Sequence, residues 1–177
     1  MTGVVSEAGE PLEIERKFLI RRPGEDWLLK NASARLEMRQ DYLLSGDSHV
    51  SRRIRRTLCA GRTVYHYNEK QRLSDRSRIE REEEIGEEEY RRLLEEADPA
   101  RRPIEKVRWC VPYAGHTLEI DVFPFWARQA YCEAELERED EALELPPALQ
   151  VLREVSGDKR YNNNSLALEI PGEDEEA

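Results

Sequence analysis

The sequence predicts an α+β, mainly-β fold: an eight-stranded antiparallel barrel forming a charged tunnel, with a few flanking helices. Two observations predict it. Segments of strand length follow one another along most of the chain with short turn signals between them. Short connections join antiparallel neighbours, because parallel strands need long crossovers. Within those segments charged residues recur at i and i+2, the spacing that places them on one face of a strand. Closing eight such strands into a barrel also removes exposed edges.

Each element has its own signal. The first strand, 12–21, places Glu13, Glu15 and Lys17 on one face. The second is 36–44, and Ser45-Gly46-Asp47 ends it. In the third, 50–58, Arg53 and Arg55 flank Ile54. Ala60-Gly61 turns the chain into the fourth, 63–71, and Leu73-Ser74-Asp75 into the fifth, 77–85, where Glu80 and Glu82 flank Arg81. Lys106 and Arg108 flank Val107 in the sixth, 104–111. Ala114-Gly115 leads to the seventh, 117–123, with Glu119 and Asp121, and the eighth, 130–137, carries Glu133 and Glu135. A helix over 87–97 has Tyr90, Leu93, Leu94 and Ala97 on one stripe and acids in its first turn. A second helix is expected over 146–155, with Leu149, Leu152 and Val155 in line, starting at proline and stopping at Gly157. A short helix is expected near 26–30.

The 177 residues suffice for one domain with a core, set at 12–168, between a flexible N-terminus (1–11) and an acidic flexible tail (169–177). The apolar fraction is 38% and the charged fraction 37%, yet seven tyrosines, three tryptophans and periodic segments argue for a folded chain. A net charge of -10 argues against a general nucleic-acid binder. The run Ser51-Arg52-Arg53-Ile54-Arg55-Arg56 is nevertheless strongly basic, which fits a local anion site in an acidic protein. Three widely spaced cysteines with no CxxC pair imply neither a disulfide framework nor zinc, and point to a reducing compartment. With no apolar run of membrane-span length and no signal-peptide core, the expectation is a cytoplasmic monomer or homodimer with no membrane partner.

A charged pair on a strand is by itself usually a solvated face. Such a strand needs an apolar opposite face. Ile14 and Phe18 supply one, but Arg16 does not, and around Arg53 and Arg55 the opposite positions are Arg52, Ile54 and Arg56. The charged pairs are therefore expected to face inward.

The motif Glu13-x-Glu15-x-Lys17 followed by Phe18-Leu19-Ile20 resembles the N-terminal signature of the CYTH proteins, the triphosphate tunnel metalloenzymes. Further likenesses follow in order: Arg39-Gln40-x-Tyr42-Leu43, Arg53-Ile54-Arg55, Lys70, Arg78-x-Glu80-x-Glu82, Glu105-Lys106-Val107-Arg108-Trp109, Leu118-Glu119-Ile120-Asp121-Val122-Phe123, Glu133-Ala134-Glu135-Leu136 and Ser156-Gly157-Asp158-Lys159-Arg160-Tyr161-Asn162. The resemblance covers about 12–168. The chain departs from it at Pro124-Phe125-Trp126-Ala127-Arg128-Gln129, where members often carry a Gly- and Asn-containing loop. It departs again at Asp41, which replaces a frequent glycine and is expected to point opposite to Gln40 and Tyr42.

The resemblance implies action on a triphosphate-containing small molecule. Lys17, Arg53, Arg55, Lys70, Arg108 and Arg160 are the expected substrate-binding cations, the arginines by forked donation. Glu13, Glu15, Glu133 and Glu135 are the expected ligands of Mg²⁺ or Mn²⁺, hard ions that prefer oxygen. They meet because first and last strands close the barrel side by side. Lys106 is expected at the reacting phosphate, with Glu82 and Asp121 orienting water or holding a second metal. The leading expectation is metal-dependent hydrolysis of the terminal phosphate of tripolyphosphate or a related triphosphate. A class IV-type adenylate cyclase, a thiamine triphosphatase and a polyphosphate- or nucleotide-binding module without turnover are the other readings. His49, His66 and His116 are read as surface or strand residues, the tryptophans as packing (with Trp126 the one to watch), and Cys132 as facing away from the site.

Overall fold

The computed structural model describes residues 14–72 and 78–177. In chain order the elements are β1 (Ile14–Arg21), α1 (Glu25–Asn31), β2 (Ala34–Leu43), β3 (Val50–Cys59), β4 (Arg62–Arg72), β5 (Arg78–Ile85), α2 (Glu87–Leu94), β6 (Ile104–Tyr113), β7 (His116–Val122), β8 (Gln129–Leu136), β9 (Val151–Glu154) and α3 (Asn163–Leu166), with a 3₁₀ turn at Lys159–Tyr161 before α3. The fold is mainly β and antiparallel, as expected. All eight expected strands form, with described ends shifted by a residue or two. Ala60 and Ala114 have φ of 48° and 47°, and the glycines that follow them 78° and 83°. Positive φ at two successive positions marks the turn that suits a two-residue hairpin, and these two turns join β3 to β4 and β6 to β7.

The chain divides into two compact units. One comprises the described part of Met1–Arg35 with Val107–Asp158 and Gly172–Ala177. Most of β6 pairs there with β7, β7 with β8, β8 with β1 and β1 with β9. Its core is formed by Phe18, Ile20, Trp109, Val111, Leu118, Ile120, Val122, Ala130, Cys132 and Ala134, closed by Leu28 of α1 and Leu149. The strand residues among these alternate with Glu15, Lys17, Arg108, Glu119, Asp121, Glu133 and Glu135, so this core lies on one face and those charged residues on the other.

β9 is a correction to the sequence reading. The segment 146–155 is a turn followed by a strand, not a helix. A short amphipathic stretch gains little as an isolated helix, whereas β1 offers an unpaired backbone edge. Phe18 faces Glu154, Leu19 faces Arg153 and Ile20 faces Val151, with an irregularity between Leu19 and Ile20. Arg21 N donates to Gln150 O, and Val155 N to Lys17 O. Arg16, which sequence logic could not place, forks onto Glu154 at 2.9 and 2.8 Å. The tail 169–177, expected to be flexible, contributes contacts to this unit: Glu173 accepts from Arg128 N at 2.5 Å, and Asp174 N donates to Gln129 Oε1 at 2.7 Å.

The second unit comprises Leu36–Lys106 and Lys159–Pro171. β2, β3, β4 and β5 pair in succession as a meander. α2 covers one face, burying Tyr90 and Leu93 against Leu43 and Ile54, with Tyr65, Tyr67 and Ile85 at the margin. The expectation that the Arg52–Ile54–Arg56 face has no buried side is therefore wrong. Ile54 is fully buried under α2. Arg52 lies along that cover, donating to Tyr67 Oη and Glu96 Oε2 at 3.0 Å each. Asp41 sits on the same face, opposite to Gln40 and Tyr42 as expected, buried and forked by Arg39 at 2.9 and 3.0 Å.

Candidate functional site

In the first unit, alternation along β1, β8, β7 and β6 gathers Glu15, Lys17, Glu133, Glu135, Glu119, Asp121 and Arg108 on the face away from the core. Register fixes the neighbours: Glu15 opposite Glu135, Lys17 opposite Glu133, Glu119 opposite Glu133 and Arg108 opposite Asp121. Lys17 is 8% exposed, and its Nζ lies 2.9 Å from Glu133 Oε1.

Arg108 organises the rest. Its Nε and Nη2 fork onto Asp121 at 2.7 and 2.8 Å, Nη2 also reaches Glu133 Oε2 at 3.5 Å, and Nη1 pairs with Glu119. Burial opposes the guanidinium charge, but the Asp121, Glu119 and Glu133 carboxylates outweigh it and hold Arg108 protonated beyond the ordinary arginine range. Asp121 is wholly buried. With both its oxygens committed to Arg108, it positions that side chain.

The second unit presents its own polar face, opposite to α2. Tyr42 faces Arg53 across β2 and β3, and Gln40 faces Arg55. Arg53 faces Asn68 and Arg55 faces His66 across β3 and β4. Asn68 faces Glu82, and His66 faces Glu84, across β4 and β5. Arg55 Nη2 donates to Glu82 Oε1 at 3.2 Å, Asn68 Nδ2 to Glu82 Oε2 at 3.3 Å, and Gln40 Nε2 to Tyr42 Oη at 3.0 Å. Burial pushes the Tyr42 hydroxyl up, against the pull of Arg53. Lys70 shares this face by alternation, and Lys106 is half-buried in β6. Arg160 is exposed on the 3₁₀ turn, with its guanidinium 5.6 Å from the centre of the Tyr161 ring.

Glu13 and the side chain of Glu80 lie outside the described residues. Among the described residues, no three acidic, histidine or cysteine side chains converge on one point as a metal-holding set. Glu15, Glu133 and Glu135 offer hard oxygen, the donor type a divalent ion prefers, while Lys17 and Arg108 already answer the charge of Glu133.

Sequence reasoning did not single out His66 and Asn68 as members of a polar face; counting alternate positions back from Lys70 along β4 would have found them. It read Cys132 correctly as turned from the charged face, into the core, where burial pushes its thiol up to about 12. Trp126 packs edge-on against Phe123, Phe125 and Tyr131, which accounts for the divergent 124–129 loop as an aromatic plug in the fold.

No family model matches the chain, and no curated protein sequence matches it. Among solved structures, it is similar to the inorganic triphosphatase NE1496, at 29% identity over 91% of this chain and 97% of that one, with a TM-score of 0.60. A second structure of NE1496 gives the same identity and TM-score over 90% of this chain. A putative adenylate cyclase from Bacillus halodurans is a looser likeness, at 15% identity, TM-score 0.46, 72% of this chain and 82% of that one. In its fold the chain is similar to that inorganic triphosphatase.

Proposed function

We propose that the protein is a metal-dependent triphosphatase that removes the terminal phosphate of inorganic tripolyphosphate or a related triphosphate. The observation that carries this reading is that in each unit one strand face packs on an apolar cluster while the other gathers lysines, arginines and glutamates. A fold gains nothing by assembling half-buried arginines and glutamates on one face unless they meet a charged ligand. The likeness to an inorganic triphosphatase supports the same chemistry.

In the second unit, Arg53, Arg55 and Lys70 bind phosphate oxygens, with Lys106 at the reacting phosphate and Arg160 as a further cation. Glu82, steadied by Arg55 and Asn68, orients the attacking water. In the first unit, Glu15, Glu133 and Glu135, together with Glu13, hold Mg²⁺ or Mn²⁺. Lys17 and Arg108 balance those carboxylates. The bound ion supplies charge neutralisation on phosphate oxygens and acidifies water. Hydrolysis forms a bond from water oxygen to the terminal phosphorus and breaks the bridging P–O bond, releasing orthophosphate and pyrophosphate.

The test is incubation with tripolyphosphate and either ion. Orthophosphate and pyrophosphate in equal amounts, abolished by a chelator, are expected. Binding without release would mark a binding module, and cyclic AMP from ATP would mark a cyclase.

A further inference from the structure

We propose that His66 contacts the anion bound on the polar face of the second unit; this rests on the triphosphate reading above. Tyr65 and Tyr67 pack toward α2, the Tyr65 ring centre 4.7 Å from that of Tyr90, so alternation turns His66 to the opposite face with Asn68 and Lys70. Register sets His66 between Arg55 of β3 and Glu84 of β5, one pair along from Arg53, Asn68 and Glu82. The ring is half-buried, and its Nδ1 is buried with no hydrogen-bond partner among the described residues.

A buried ring nitrogen left unmet costs stability, and native folds rarely keep one without reason. The charged groups facing it are Arg53, Arg55 and Lys70 on one hand and Glu82 and Glu84 on the other. Only the cations attract an anion, and Arg55 lies directly beside the ring. A phosphate oxygen seated on Arg55 would accept from Nδ1–H, which the charged ring and the Nδ1–H neutral tautomer both present. His66 would then add a directional donor to a set otherwise made of cations, reading the position of a phosphate as well as its charge.

The chain holds three histidines, so ring resonances in a proton–nitrogen correlation spectrum are few. Adding tripolyphosphate should move those of His66. Those of His49, beside the Asp47 turn, and His116, 2.8 Å from Glu141, should stay. Asparagine carries an amide where Nδ1 lies, whereas glutamine reaches the Nε2 position. His66→Asn should therefore keep tripolyphosphate affinity within about threefold, and His66→Leu and His66→Gln should lose about tenfold. Unmoved His66 resonances on binding, or wild-type affinity in a folded His66→Leu, would overturn the inference while leaving the triphosphate reading intact. Failure of the wild type to bind tripolyphosphate, with or without Mg²⁺, would remove both.

Discussion

Arg108 sits where a guanidinium answers three carboxylates at once, and one of them, Asp121, has no contact with solvent. Removing the cation leaves that carboxylate buried and unbalanced. Arg108→Ala should destabilise the fold by about 3–5 kcal/mol in urea denaturation, the usual effect of stranding one partner of a buried pair. Arg108→Lys should recover part of the loss, since a point charge cannot fork onto both Asp121 oxygens. An alanine variant as stable as the wild type would show that Asp121 does not depend on Arg108 for its place in the fold. Cys132 makes the opposite case. Burial holds its thiol protonated to about 12, so at pH 8 it should resist alkylation in the native state and react only when the chain unfolds. Rapid native labelling at Cys132, read by peptide mapping, would contradict its place in the core.

β9 depends on an ion pair as much as on its backbone. The Glu154 carboxyl is held down to about 2, first by the fork from Arg16 and then by the Ser156 hydroxyl. Its folded pKa lies below the unfolded value, so its stabilisation is complete at neutral pH and lost as pH falls from about 4.5 through about 2. Melting temperature against pH should therefore fall less steeply over that window in Glu154→Gln than in the wild type. Because both side chains are partly open to water, the difference will be small, and parallel curves would assign the acid sensitivity elsewhere. The same element marks the limit of what was legible in the sequence. The eight strands and α2 announced themselves by local alternation, turns and an apolar stripe. β9 did not, because its apolar spacing at Leu149, Leu152 and Val155 reads equally as a helix, and only the edge of β1, more than a hundred residues earlier, decides the matter. The charged face was legible at Lys17, Arg53, Arg55 and Glu133 because spacing alone places them. The partners they take, such as Arg108 with Glu119 and Glu82 with Asn68, follow from register, which no local pattern states.

For the whole molecule, a ligand that binds only the folded state at a hundred times its dissociation constant adds about 2.7 kcal/mol of stability. Tripolyphosphate with Mg²⁺ should thus raise the melting temperature by roughly 5–10 °C. Orthophosphate should raise it less, because it presents fewer charges to the same cations, and Arg160→Ala should blunt the tripolyphosphate effect. Equal shifts from orthophosphate and tripolyphosphate in a thermal scan would count against a site built for a chain of phosphates. The alternation of core and charge along β1, β3 and β8 has one more outcome, which concerns how such a gene can change. Substitutions at every second codon, at Arg53, Arg55, Glu133 or Glu135, can retune the ligand while Ile54 and Ala134 go on holding the fold. Insertion or deletion of a single codon inside one of these strands does the reverse: it sends each charged side chain beyond that point into the core and each core side chain onto the charged face. Lineages of this protein should therefore change their ligand by substitution at alternate positions of these strands, yet accept length changes only in the turns between them.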